Sequence, residues 1–209
     1  MKKKNLKKLL LAVCCAALLV CVSIGATVAY LTSAEKVVNT FTVGKVAITL
    51  DEAKVTTDGT EVVGAARVQT NSYKLMPGHE YKKDPTVHVA ANSEACYVFV
   101  KVANGISAIE TTENGKTIAG QIAAKGWTAL GDETGVYYKE WKPSDGANNL
   151  VVFEEFTIAD TVKDTDLAGI TAETKIEITA YAIQKDGFTT AADAWAQVKN
   201  VTVAEPSNP

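Results

Sequence analysis

Apolar and polar side chains alternate residue by residue in six short segments of this 209-residue chain, with turn-forming residues between the segments. Successive side chains of an extended strand point to opposite faces, so a period of two dictates half-buried strands in an antiparallel sandwich or barrel. In FTVGKVAITLD, Val46, Ile48 and Leu50 share one face, and Lys45, Ala47 and Thr49 take the other. In PTVHVA, Val87 and Val89 oppose His88. The run ACYVFVKVANG sets Cys96, Val98, Val100 and Val102 against Tyr97, Phe99 and Lys101 and ends at Asn104-Gly105. With apolar residues on both faces, it reads as a central strand. Val136 to Trp141, Leu150 to Ile158 and Thr174 to Gln184 complete the set.

Turn chemistry supports this division. Asp58-Gly59, Asn114-Gly115, Asp186-Gly187 and Pro77-Gly78 are dipeptides that take the positive backbone angles of tight turns. One helix is expected near the end, where Thr190 caps AADAWAQV, Asp193 completes a weaker capping box, and Trp195 and Val198 face the sheet. The polar segment from Thr157 to Ile170 reads as loop with one helical turn.

The first residues carry a different message. MKKKNLKK holds five lysines, and Leu9 to Leu31 has no charged side chain, which is the layout of a secretory signal helix. Thr27 and Ala29 supply small side chains for a signal peptidase, predicting a cut between Ala29 and Tyr30. A run of about 20 apolar residues can also span a bilayer as an uncleaved anchor. Gly25, Ala26 and Thr27 weaken the helix just before the site and favour cleavage. The expected organisation is a signal at 1–29, one domain at 30–203 and a flexible tail at 204–209.

Five of the 21 basic residues and none of the 24 acidic ones precede Tyr30, so removing that stretch leaves 16 basic against 24 acidic residues, a charge of −8. Such a chain repels phosphate backbones, which disfavours nucleic acid as a partner. Cys14, Cys15 and Cys21 leave with the signal, so Cys96 has no partner for an intramolecular disulfide, and with valines on its face it reads as core.

Motifs for catalysis are incomplete. His79-Glu80 resembles half of a zinc-protease motif, but position 83 is Lys83 rather than a second histidine, and MPGHEYKKDP does not sustain a helix. Asp160, Asp164 and Asp166 lack the glycine and distal glutamate of a helical calcium loop. No serine sits in a G-x-S-x-G elbow. Glu154 and Glu155, adjacent on a strand, project to opposite faces. Trp127, Trp141 and Trp195 are candidates for sugar stacking, with core packing the commoner role. The residues call for no cofactor and no metal.

GATVAYLTSAEKVVNTFTVGKVAITLD, with its Asn-Thr-Phe-Thr-x-Gly stretch at Asn39 to Gly44, resembles the leader and first strand of the TasA, CalY and camelysin family. Leu75 to Val102 and Ile178 to Trp195 are similar to that family as well. The resemblance implies a jelly-roll β-sandwich exported through a SipW-type signal peptidase. It also implies a non-enzymatic structural subunit of biofilm-matrix fibres, secreted to the surface of Gram-positive cells. The implied partners are copies of itself, the peptidase during export and other matrix proteins; the membrane is met only through the signal before cleavage. In the family's fibres the freed N-terminal segment completes the sheet of the next subunit. Carried over, this places the donor at 30–38, with Tyr30, Leu31, Val37 and Val38 as its apolar residues. The camelysin name also carries a metallopeptidase reading, and a monomeric adhesion or glycan-binding module is a third.

Overall fold

The computed structural model describes residues 46–146, 148–171 and 174–202. The signal at 1–29 with its cleavage residues Thr27, Ala29 and Tyr30 lies outside the described residues, as do Asn39 to Gly44 and the tail at 204–209. So does the donor segment at 30–38 with Tyr30, Leu31, Val37 and Val38.

The described chain is mostly β, with antiparallel sheets and few short helices. Its strands are β1 (Ile48–Asp51), β2 (Glu80–Lys82), β3 (Thr86–Val89), β4 (Cys96–Asn104), β5 (Thr128–Ala129), β6 (Val136–Trp141), β7 (Asn149–Val151), β8 (Glu155–Thr157) and β9 (Ile176–Gln184). They form a three-stranded sheet in the order β1-β3-β7, a ribbon β2-β8, and a four-stranded sheet in the order β5-β6-β4-β9. Three helices accompany them: α1 (Ile118–Ala124), α2 (Asp164–Leu167) and α3 (Ala191–Val198).

β4 is the axis of the molecule. It pairs along its length with β9 and, from Cys96 to Lys101, with β6. Its alternation then sorts side chains into two cores. Cys96, Val98 and Val100 enter the larger core with Val87, Val89 and Leu150 of the three-stranded sheet and Tyr81 and Phe156 of the ribbon. Tyr97 and Phe99 enter the smaller core, which α3 closes with Ala191, Ala194, Trp195 and Val198. Burial on both faces makes β4 the central strand its pattern predicts. The Phe99 ring lies 5.3 Å from that of Trp195, and Tyr181 meets the same indole edge-on at 5.3 Å.

α3 begins as its sequence dictates. The Thr190 hydroxyl accepts from the Asp193 amide at 3.1 Å, and the Asp193 carboxylate accepts from the Thr190 amide at 3.2 Å, satisfying two amides that the first turn leaves unpaired. Gly59, Gly78, Gly115 and Gly187 all adopt positive φ, as the four turn dipeptides require. Gly59 is doubly constrained, because a Cβ there would stand 2.8 Å from the Tyr81 Cα.

Two expectations are corrected. The segment Leu150 to Ile158 is not one strand: β7 ends at Val151 and β8 starts at Glu155. The Val152 amide donates to the Pro85 carbonyl at 2.8 Å and the Glu154 carbonyl accepts from the Lys83 amide at 3.0 Å, so the fully buried Val152 and Phe153 lie where the chain passes from the three-stranded sheet to the ribbon. α1 is a helix that alternation did not reveal; Thr117 caps it, and Ile118 and Ile122, four apart, face the core.

Truncating Phe99 to Ala removes the ring shared by β4 and α3. The expected loss is about 3–5 kcal/mol of unfolding free energy in a urea titration.

Candidate functional site: the open strand edges

The sites a catalytic reading would use are separated and occupied by structural contacts. His79 Nε2 lies 2.8 Å from the Asp58 carbonyl oxygen, and its ring meets Tyr81 edge-on at 4.6 Å. Glu80 belongs to a strand, so positions 79 and 83 are not one helical turn apart. His88 sits elsewhere, on the outer face of β3, bridging Asp51 of β1 and Asn149 of β7 at 2.8 Å each. Both histidines are therefore partly buried and hydrogen-bonded. Asp166 accepts from the Lys163 amide at 2.9 Å and serves to cap α2. Asp160 lines a hollow with Glu113, Lys116 and Thr157, in which the Lys116 ammonium pairs with Glu113 at 3.1 Å.

Cys96 is fully buried, and burial pushes its thiol up to about 11. A thiol at that value is protonated at neutral pH and is a poor nucleophile. Glu154 lies at a bend before β8 rather than on a strand with Glu155, and pairs with Lys125 at 2.7 Å, while partial burial and then the neighbouring Glu80 push the Glu155 carboxyl above its ordinary value. All three tryptophans are core residues, at most 4 % exposed, so none offers a face to a sugar. The Trp127 indole also donates to the Val151 carbonyl at 2.8 Å.

Among the described residues, what the fold leaves unfinished is main chain. β9 is nine residues long and, among the described residues, pairs with β4 alone. The Lys185 amide donates to Ala95 and the Gly105 amide to Lys175, each at 2.8 Å, and these bonds bracket the β4–β9 ladder and fix its phase. Hydrogen-bonded pairs alternate with non-bonded ones in an antiparallel ladder, so Glu177, Thr179, Tyr181 and Ile183 turn their amides and carbonyls toward β4. Ile176, Ile178, Ala180 and Ala182 turn theirs to the open side.

β1 repeats the arrangement. The Ala90 amide donates to the Ala47 carbonyl at 2.9 Å, which aligns Ala47, Thr49 and Asp51 with β3 and leaves the main chain of Val46, Ile48 and Leu50 outward. The open stretch stops at Glu52, which exchanges two 2.8 Å bonds with Val68. Arg67 fixes that end by reaching Asp51 and, at 3.0 Å, Asp84. Partial burial opposes ionisation of Asp51, but hydrogen bonds from Arg67 and His88 outweigh it and hold the carboxyl below its usual range.

β1 and β9 lie close to each other where the two sheets meet. Ile48 and Leu50 on one, and Ile176, Ile178, Ala180 and Ala182 on the other, pack against the larger core yet remain only half-buried. An added strand would gain main-chain hydrogen bonds and cover these side chains. Alternation through Thr174 to Gln184 announced β9, but its edge position depends on sheet order, which its own residues do not encode.

Phase makes a sharp prediction. Ala180→Pro deletes an outward amide and is expected to leave the monomer folded by circular dichroism, as proline is tolerated on an open edge. Thr179→Pro deletes an amide bonded to β4 and is expected to cost about 3 kcal/mol or more in a urea titration. Equal losses at the two positions would contradict the assigned phase.

Comparison with known protein families, curated proteins and solved structures gives no significant match to this chain.

Proposed function

We propose that this protein is a secreted structural subunit that self-assembles into extracellular matrix fibres by strand donation, without chemistry of its own. The observation that carries the reading is the nine-residue β9, which has one paired neighbour among the described residues and a row of half-buried apolar side chains beside its open edge. An edge of this length offers main-chain hydrogen bonds to an incoming strand. In this reading the donor is the segment at 30–38, freed when a SipW-type peptidase cuts after Ala29. Before the cut that segment is joined to the signal, which holds assembly back until export. The sheets are arranged as a jelly-roll sandwich, and the resemblance to the TasA, CalY and camelysin family supports both the architecture and the role.

The metallopeptidase reading is less well supported, because His79 just before β2 bonds to Asp58 while His88 on β3 bonds to Asp51 and Asn149. The glycan-binding reading loses its tryptophans to the core.

Deleting residues 30–37 from the secreted form is expected to preserve the circular dichroism spectrum and abolish fibres in electron micrographs. Normal fibres from that variant would reject strand donation.

A further inference from the structure

A trio beside β1, with Glu52 and Lys83 buried and Asn71 half-buried, has no part in the assembly reading. Glu52 is 4 % exposed and Lys83 8 %, and the Lys83 ammonium donates to Glu52 Oε2. The other carboxylate oxygen, Oε1, accepts from Asn71 Nδ2 at 2.9 Å. One carboxylate thus holds an amine and a carboxamide side by side. The amide is also fixed in its plane: Nδ2 donates to the Ala53 carbonyl at 2.8 Å, and the Val55 amide donates to Oδ1 at 3.0 Å.

Each contact matches a role in acyl transfer. Lysine is a nucleophile once it loses its proton, and a buried carboxylate bonded to it can take that proton. A backbone N–H aimed at the amide oxygen stabilises the charge that gathers there when the carbonyl carbon is attacked. A shared carboxylate keeps the reactants together and can shuttle protons between them.

We propose that Lys83 and Asn71 join in an intramolecular amide bond, with Glu52 as the proton carrier. Glu52 takes a proton from Lys83 Nζ, and the freed lone pair forms the Nζ–Cγ bond to Asn71. Negative charge collects on Oδ1, opposite the Val55 N–H. A second Nζ proton passes by way of Glu52 to Nδ2, the Cγ–Nδ2 bond breaks, and the nitrogen departs as ammonia. Glu52 keeps the first proton. A buried ion pair is replaced by a neutral acid and a neutral amide, which removes the cost of keeping two charges away from water. No other reactant is needed. The bond ties the segment around Asn71, which has no helix or strand of its own, to the chain between β2 and β3.

Intact mass and a tryptic map of the purified, folded wild-type protein test this directly. The expected protein is lighter by one ammonia, resists trypsin at Lys83, and yields peptides 68–74 and 83–101 as one joined species. A succinimide at Asn104-Gly105 or Asn114-Gly115 would cost the same mass but leave those peptides separate, and separate peptides overturn the proposal. Glu52→Gln, nearly isosteric, is expected to restore the full mass with an unchanged circular dichroism spectrum. A joined species persisting in Glu52→Gln would overturn the role of Glu52, and if that variant does not fold, the wild-type map alone decides the bond.

Discussion

β4 is hydrogen-bonded on both edges and buried on both faces, and every other layer takes its place from that strand. Because Cys96, Val98 and Val100 point one way and Tyr97 and Phe99 the other, a single strand nucleates two cores, one against the three-stranded sheet and one under α3. Supplying β4 with neighbours on both sides uses β6 and β9. No described strand then remains to pair with the far edge of β9. Among the described residues, the unpaired far edge of β9 is therefore a consequence of where the apolar side chains of β4 need cover.

The three-stranded sheet is finished unevenly for a related reason. Past Asp51, the edge of β1 is closed by Val68, by Arg67 between Asp51 and Asp84, and by the buried set around Glu52. Before Asp51 nothing described pairs with it. Charge and polar bonding lock one end of β1, and half-buried apolar residues mark the other. The locked end suits covalent reinforcement, and the open end suits a removable strand.

Strand position was legible where one face packs and the other is wet, as in β1, whose Ile48 and Leu50 pack on the core while Thr49 is exposed, since period-two alternation is then written directly in the residues. α3 was legible through Thr190 and Asp193, which leave a local signature. The break at Val152-Phe153 was not, because two adjacent apolar residues in an alternating run do not say which of them departs from the strand. α1 was hidden by its small residues, with Ile118 and Ile122 as its only strong apolar signal. Residues 52–79 follow neither period, so the meeting of Glu52, Asn71 and Lys83, brought together across as many as 31 positions, became visible only in three dimensions. The donor segment was named from resemblance alone.

Amide hydrogen exchange across β9 tests the central claim most directly. In the monomer, the amides of Glu177, Thr179, Tyr181 and Ile183 are expected to be protected by β4, while those of Ile176, Ile178, Ala180 and Ala182 exchange freely. On assembly the second set should become protected. If both sets are equally protected in the isolated monomer, the edge is already covered by the chain's own residues, and the account of a strand edge awaiting a partner is wrong.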